Sequence, residues 1–313
     1  MPSDYNKLIE IIEEAVNGFN KSLPKIQKDM LADLLDEIKK FDVKNKRISN
    51  TVKNIRLLNS IKNRLRKTIL NDEYKAAVKE YLKVFTDVSD FHNEYFRETE
   101  KGFKPRAIVK EIKKQTITDT IDKLTEAGIS GNVQNKIADL LKQNITTGVK
   151  YSDLAAQLRE HILTTENPGV LERYVKQIAT DSVNQYSAQY MNTISGDLGY
   201  EWFRYQGKDI LTTRPWCDAM TDRKFFHISE VPDLLAAKDL YYSSDDGLKK
   251  VPIYEKTGLP NGMIPDTNAE NLFVRRGGYN CGHQCFPLIE KLVPLEVKQR
   301  VYATPAYKRW KNS

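Results

Sequence analysis

A chain of 313 residues with 49 Lys and Arg against 42 Asp and Glu carries a net charge of +7, and 40% of its residues are hydrophobic and 29% charged. Such a composition is globular, with length for roughly two or three domains, and it excludes collagen-like, cysteine-scaffold and wholly disordered chains. No run approaches the ~18 to 20 apolar residues that span a bilayer.

The start, MPSDYNKLIEIIEE, is acidic where a secretory signal is basic and then apolar, so a cytoplasm-like compartment is expected. Along the first half the apolar residues repeat at helical spacing. Leu8, Ile12 and Phe19 open the pattern with Tyr5; Leu31, Leu34, Leu35 and Ile38 predict a second helix after Pro24. A third is expected from about Thr51, with Leu58, Ile61, Leu65 and Ile69 on one stripe. A fourth begins near Asn71, where Tyr74, Val78, Tyr81, Phe85, Val88, His92 and Tyr95 alternate steps of four and three, the seam spacing of helices packed at a shallow angle. KGFKPR, 101–106, reads as a linker.

Helical pattern resumes with Val133, Ile137, Leu140 and Leu141, and Gly148 breaks it. Ser152 and Asp153 then predict an N-cap for a helix carrying Leu154, Leu158 and Ile162. ENPGVLERY predicts a turn and a long helix to about Ile194, ended by Gly196 and Gly199; YEWFRYQG, 200–207, alternates like a strand. Eight of the twelve prolines fall from Pro215 onward, so the last hundred residues are expected to be irregular. The expectation is an α+β protein: an elongated N-terminal helical bundle or arm (1–105), a helical part (106–199) and a small irregular α+β module (200–313) whose tail, YKRWKNS, is basic and aromatic, a frayed or partner-docked end.

Charge is concentrated. Residues 39–67 hold eleven Lys or Arg and one acid, Asp42. At 100° per residue, Lys53, Arg56, Arg64 and Lys67 fall in one quadrant of the third helix, away from its apolar stripe. A solvated face accounts for this, as does contact with nucleic acid or an acidic partner; four phosphate contacts would give a salt slope near −3.6.

All three cysteines, an odd number that argues against a disulfide framework, and two of the four histidines lie in TTRPWCDAMTDRKFFHISEV, 212–231, and RRGGYNCGHQCFPL, 275–288. Thiolate and imidazole together suit Zn²⁺, which takes four such ligands. If 279–286 is extended, Cys281 and His283 share a face about 6.7 Å apart, whereas Cys281 and Cys285 lie about 13 Å apart. The expected ligands are therefore Cys217, His227, Cys281 and His283, with Cys285 as substitute if the chain turns at Gly282. Buried thiols packed as small apolar groups give the same pattern. A nuclease acting on RNA or DNA through His227 and His283, with Arg214 and Lys224 binding phosphate, is the chemical alternative; no GxxxxGK[ST] loop or HExxH motif occurs.

The order of the long helix RYVKQIATDSVNQYSAQYMNTI, a strand with Trp202 and Tyr205, TTRPWCDAM, a variable stretch and RRGGYNCGHQCFPL resembles the head-morphogenesis domain of tailed-phage minor head proteins of the phage Mu type; TTGVKYSDLAAQLREHI is similar to the segment before that helix. The resemblance covers roughly residues 110 to 295, and lands on Arg214, Cys217, Asn280, Cys281 and His283. The family form carries a basic residue where Gly282 stands, and Cys285 is additional. The resemblance implies a structural, non-enzymatic protein of the capsid interior or portal vertex for head morphogenesis and for genome packaging or delivery, assembled in the host cytoplasm, with the portal protein, other head proteins and viral DNA as partners and no membrane. Residues 1–105 lie outside it and are expected to contact portal or scaffold. About twenty residues after Lys291 leave no room for a fused toxin or nuclease domain.

Overall fold

The computed structural model describes residues 5–163, 168–207, 210, 213–279 and 281–313. Its elements in chain order are α1 (Tyr5–Asn20), α2 (Leu23–Ile38), β1 (Val43–Lys44), β2 (Arg47–Ile48), α3 (Val52–Ile69), α4 (Asp72–Tyr81), α5 (Val84–Thr99), α6 (Ala107–Leu124), α7 (Glu126–Ile129), α8 (Asn135–Thr147), α9 (Tyr151–Ile162) and α10 (Val170–Leu198). Beyond these lie β3 (Trp202–Gln206), α11 (Pro215–Arg223), β4 (Phe225–His227), α12 (Val231–Leu235), β5 (Tyr241–Ser244), β6 (Gly247–Lys250), β7 (Ile253–Tyr254), β8 (Leu259–Pro260), α13 (Leu272–Arg275), β9 (Gln284–Leu288), α14 (Leu295–Ala303) and α15 (Pro305–Lys311). The fold is α+β, mostly helical with small antiparallel sheets. No helix among the described residues is long and apolar enough to cross a membrane.

Spatial packing groups the chain into two discontinuous units: 13–84 with 115–179, and 1–12 with 85–114 and 180–313. In the first, α2 packs on α3 and α9, and α3 on α8. Pro24 occupies the first turn of α2, where its missing N–H costs nothing, and Thr51 caps α3 by accepting from the Asn54 amide. The predicted stripe of α3 is buried as expected. Asn54, fully buried, donates to the carbonyls of Asp42 and Ser49 and accepts from the Asp42 amide, so it ties the β1–β2 hairpin to α3. The hairpin turns on Asn45 and Lys46, both with positive φ, the combination a two-residue turn between twisted strands requires.

The aromatic seam from Tyr74 to Tyr95 is buried throughout, although it is divided between α4 and α5 by a break at Leu82 and Lys83. Gly148 ends α8 in the left-handed conformation. The helix predicted to start after a cap at Ser152 starts at Tyr151 instead, after an extended Lys150, and the Ser152 hydroxyl donates to the Asp153 carboxylate. Glu166 and Asn167 of the ENPG turn lie outside the described residues, and α10 runs through Gly196 to end at Gly199, φ +68°.

In the second unit, the sheet β4–β3–β9 is antiparallel, with Trp202 opposite His227 and Leu288, and Tyr205 opposite Cys285. Phe203 and Tyr205 point from β3 into a core with Trp216, Met220, Phe226 and Phe273. The Tyr95 hydroxyl donates to the Pro287 carbonyl, and Tyr190 to Asn93 at 2.5 Å, so the helices of this unit are fastened by buried tyrosines.

Candidate metal centre

An extended Arg214 followed by Pro215 starts α11 abruptly, and this places Trp216 and Cys217 in its first turn, facing the core. The Trp216 indole donates to the Leu234 carbonyl at 3.1 Å and packs edge-on against Tyr205. From the other end of the module, α13 stops at Arg275. Arg276 (φ +49°), Gly277 and Gly278 (φ +101°) then reverse the chain and deliver Cys281 beside Cys217.

The two sulfurs lie 3.9 Å apart, and Cys281 Sγ is 3.9 Å from His283 Nδ1. All three donor atoms lie within 4.8 Å of one another, and all three residues are buried. Two ligands on a tetrahedral ion at ~2.3 Å stand about 3.8 Å apart, so the group can hold a metal ion. The Tyr205 hydroxyl is the fourth polar atom of the cluster, donating to Cys217 Sγ at 3.4 Å and lying 3.7 Å from Cys281 Sγ, while its ring stacks on His283. An outer hydroxyl of this kind orients thiolate ligands.

Glycines make the close approach feasible. A Cβ at Gly277 would overlap the Cys217 sulfur and come within 3.2 Å of the Cys281 sulfur; one at Gly207 would overlap the His283 ring; one at Gly262 would overlap the Arg214 side chain. Arg214 in turn donates to the Tyr279 carbonyl at 2.5 Å, joining the start of α11 to the segment that carries Cys281.

The thiols are a coupled pair. Their mutual hydrogen bond holds Cys281 well below the usual thiol range, with His283 and the Arg276 guanidinium acting in the same direction against burial, and the same bond, with burial, raises Cys217. Burial pushes the Tyr205 hydroxyl up. Arg276 is itself buried; its Nη1 donates to the Asn184 carbonyl (3.1 Å) and Gln284 Oε1 (2.8 Å), and Gln284 donates to Asn184 Oδ1 (2.6 Å).

The predicted ligand set is corrected at His227. Its Nδ1 accepts from the Ser229 amide (3.1 Å), the His227 amide donates to Glu230 (2.9 Å), and together these cap the short turn 228–230. The ring is enclosed by Trp202, Tyr307 and Trp310. His227 pairs with Trp202, whereas His283 lies beyond the Gln206–Gln284 pair, about 16 Å further along the sheet at ~3.3 Å per residue. The two histidines of the nuclease alternative therefore share no site. Cys285 is on β9, outside the three-residue group, packed in the core with its thiol pushed up to about 12 by burial. Residues 281–283 precede β9 and are not strand, yet Cys281 and His283 still converge. Asn280 lies outside the described residues.

Tyr205, Gly277 and Arg276 were not singled out as site residues from sequence. The Arg-Arg-Gly-Gly run before the cysteine carried the signal for the last two: a forced chain reversal next to a buried charge.

The basic face of α3 is only partly free. Arg64 binds Asp33 (2.6 Å) and the buried Glu37 (2.8 Å) of α2, and Lys53 binds Asp42 (2.5 Å). Arg64 lies on the flank of the quadrant nearest the apolar stripe, within reach of α2. Arg56 and Lys67 are exposed without an ion pair among the described residues. The C-terminal tail, for its part, is helical as α15 and docks on His227 through Tyr307 and Trp310.

Comparison with protein-family models, curated proteins and solved structures finds no match to this chain.

Proposed function

We propose that this chain is a minor head protein of a tailed phage, a structural component of the capsid interior or portal vertex that acts in head morphogenesis. One observation carries the reading. The two segments on which the resemblance rests, TTRPWCDAM and RRGGYNCGHQCFPL, are 64 positions apart at Cys217 and Cys281, and they meet through those thiols. Arg214, another residue of the motif, spans the same two segments. A motif split in sequence and joined in space is what a family signature with a fold-locking purpose requires.

In this reading the cluster is structural. Zn²⁺ is the ion its donors suit best, two thiolates and an imidazole in a buried setting, and it would supply cross-linking of a loop-rich module. The portal protein and other head proteins are the proposed partners. Mass spectrometry of purified virions and procapsids tests the assignment: the protein is expected in one or both at low copy, and absence from both particles overturns it.

A further inference from the structure

The unit formed by 13–84 and 115–179 contains a cavity of about 700 Å³ that the head-protein reading does not use. Four of its lining side chains are cationic or can become so: Lys123 of α6, Lys136 of α8, His161 of α9 and Arg173 of α10; Asn132 and Tyr174 add polar atoms. No acidic residue lines it among the described residues. Lys123, Lys136 and Arg173 form no ion pair among the described residues, unlike Arg64 and Lys53 in the same unit.

His161 marks what is missing. Its Nε2 is buried and has no hydrogen-bond partner. Burial first, then the charges of Arg173 and Lys136, lower its pKa. Lys123, Lys136 and Arg173 are exposed around the opening, so water screens their repulsion, and an anion seated among them gains from all three. Three fixed positive charges over this volume match a multiply charged ligand better than a single carboxylate.

We propose that this cavity is a phosphate-binding site, taking either a soluble oligophosphate or the backbone phosphates of a nucleic acid, with Arg173, Lys136 and Lys123 as the charged donors and His161 as a donor when protonated. Binding then favours the imidazolium, so affinity rises as pH falls. The groups that face His161 are Lys123, Lys136, Arg173 and the Tyr174 hydroxyl, whose own proton goes to the Lys123 carbonyl at 2.7 Å.

Calorimetric titration of the full chain with inorganic pyrophosphate, at about pH 7.5 and about pH 6, tests this. Tighter binding is expected at the lower pH, with a loss of about tenfold in Lys136→Ala and in Arg173→Ala. His161→Gln is expected to keep binding but to lose the part of the pH dependence that exceeds pyrophosphate's own protonation. Lys136 is exposed, so its removal leaves the fold intact, whereas Arg173 also donates to the Pro168 carbonyl and its variant is checked by circular dichroism. Displacement of pyrophosphate by a short DNA duplex identifies nucleic acid as the source of the phosphate, and failure to displace it identifies a soluble oligophosphate. Absence of pyrophosphate binding at millimolar concentration, or binding that Lys136→Ala leaves unchanged, overturns the proposal.

Discussion

Gly277 stands where any side chain would collide with the sulfur of Cys217, so one hydrogen atom on the backbone decides whether the two thiols can meet. Gly277→Ala is expected to destabilise the protein by about 1 to 3 kcal/mol through overpacking. Gly282, which has open space around its Cα, is the control: its change to Ala stays within about 0.5 kcal/mol. Urea unfolding of both variants measures the difference, and equal stabilities would remove the steric account of the site.

Metal content separates ligation from packing. Protein purified without chelator is expected to hold about one Zn²⁺ per chain, measured by inorganic mass spectrometry, with the ion lost in Cys217→Ser, Cys281→Ser and His283→Gln. Cys285→Ser and His227→Gln are expected to retain it, since neither residue belongs to the three-residue group. Chelation should lower the thermal midpoint of the wild type but not of Cys281→Ser. A metal-free wild type that unfolds more easily on the same change would show a packed thiol pair instead.

His92 gives the protein an acid-sensitive step. The ring is fully buried, 3.0 Å from the Ser187 hydroxyl, and burial lowers its pKa from 6.5 to about 3. Below pH 6.5 the unfolded chain takes up a proton that the folded chain refuses, so the contribution is complete above that pH and is lost as pH falls toward 3. The slope from this one group approaches ~1.4 kcal/mol per pH unit. Urea unfolding as a function of pH should show it, and His92→Gln should flatten it.

The helical half was largely legible because its signals are local. Apolar spacing placed α2, α3 and α8, while Thr51 at the start of α3, Asn71 at the start of α4 and Gly148 at the end of α8 act by capping chemistry that depends on neighbours in sequence. The metal cluster was legible in three of its residues because sulfur and imidazole are rare, so their grouping stands out. His227 was misplaced because composition cannot tell a ligand from a histidine whose Nδ1 is already taken by the Ser229 amide. Tyr205 was read only as a strand residue, since its reach to both sulfurs depends on the register that sets it opposite Cys285.

The α3 face gives a quantitative expectation for nucleic acid. With Arg64 and Lys53 engaged by carboxylates, Arg56 and Lys67 remain, so affinity for duplex DNA through this face carries a salt slope near −1.8 instead of −3.6. Binding measured across a salt series in Arg56→Ala/Lys67→Ala isolates it. Arg64→Ala is expected to lower the melting temperature more than Lys53→Ala, because it strips a partner from the buried Glu37 carboxylate, while Asp42 is partly exposed to water.

The tail should matter to the ring it covers. Trp310→Ala is expected to cost about 1 to 3 kcal/mol and to raise the His227 pKa, because burial is the main cause that lowers it. Nuclear magnetic resonance titration of the imidazole protons reads the second effect directly, and an unchanged pKa would show that the tail does not shield the ring.

The bond from Tyr95 to Pro287 joins positions 192 apart. On the ribosome, a nascent chain can complete the unit of 13–84 and 115–179 once Ala179 has emerged, but the other unit must wait for β9, which is made well after Ala179. Through that interval the aromatic face of α5 has no strand to cover it, which makes it the surface a chaperone would meet first and the place where stalled synthesis would lead to aggregation.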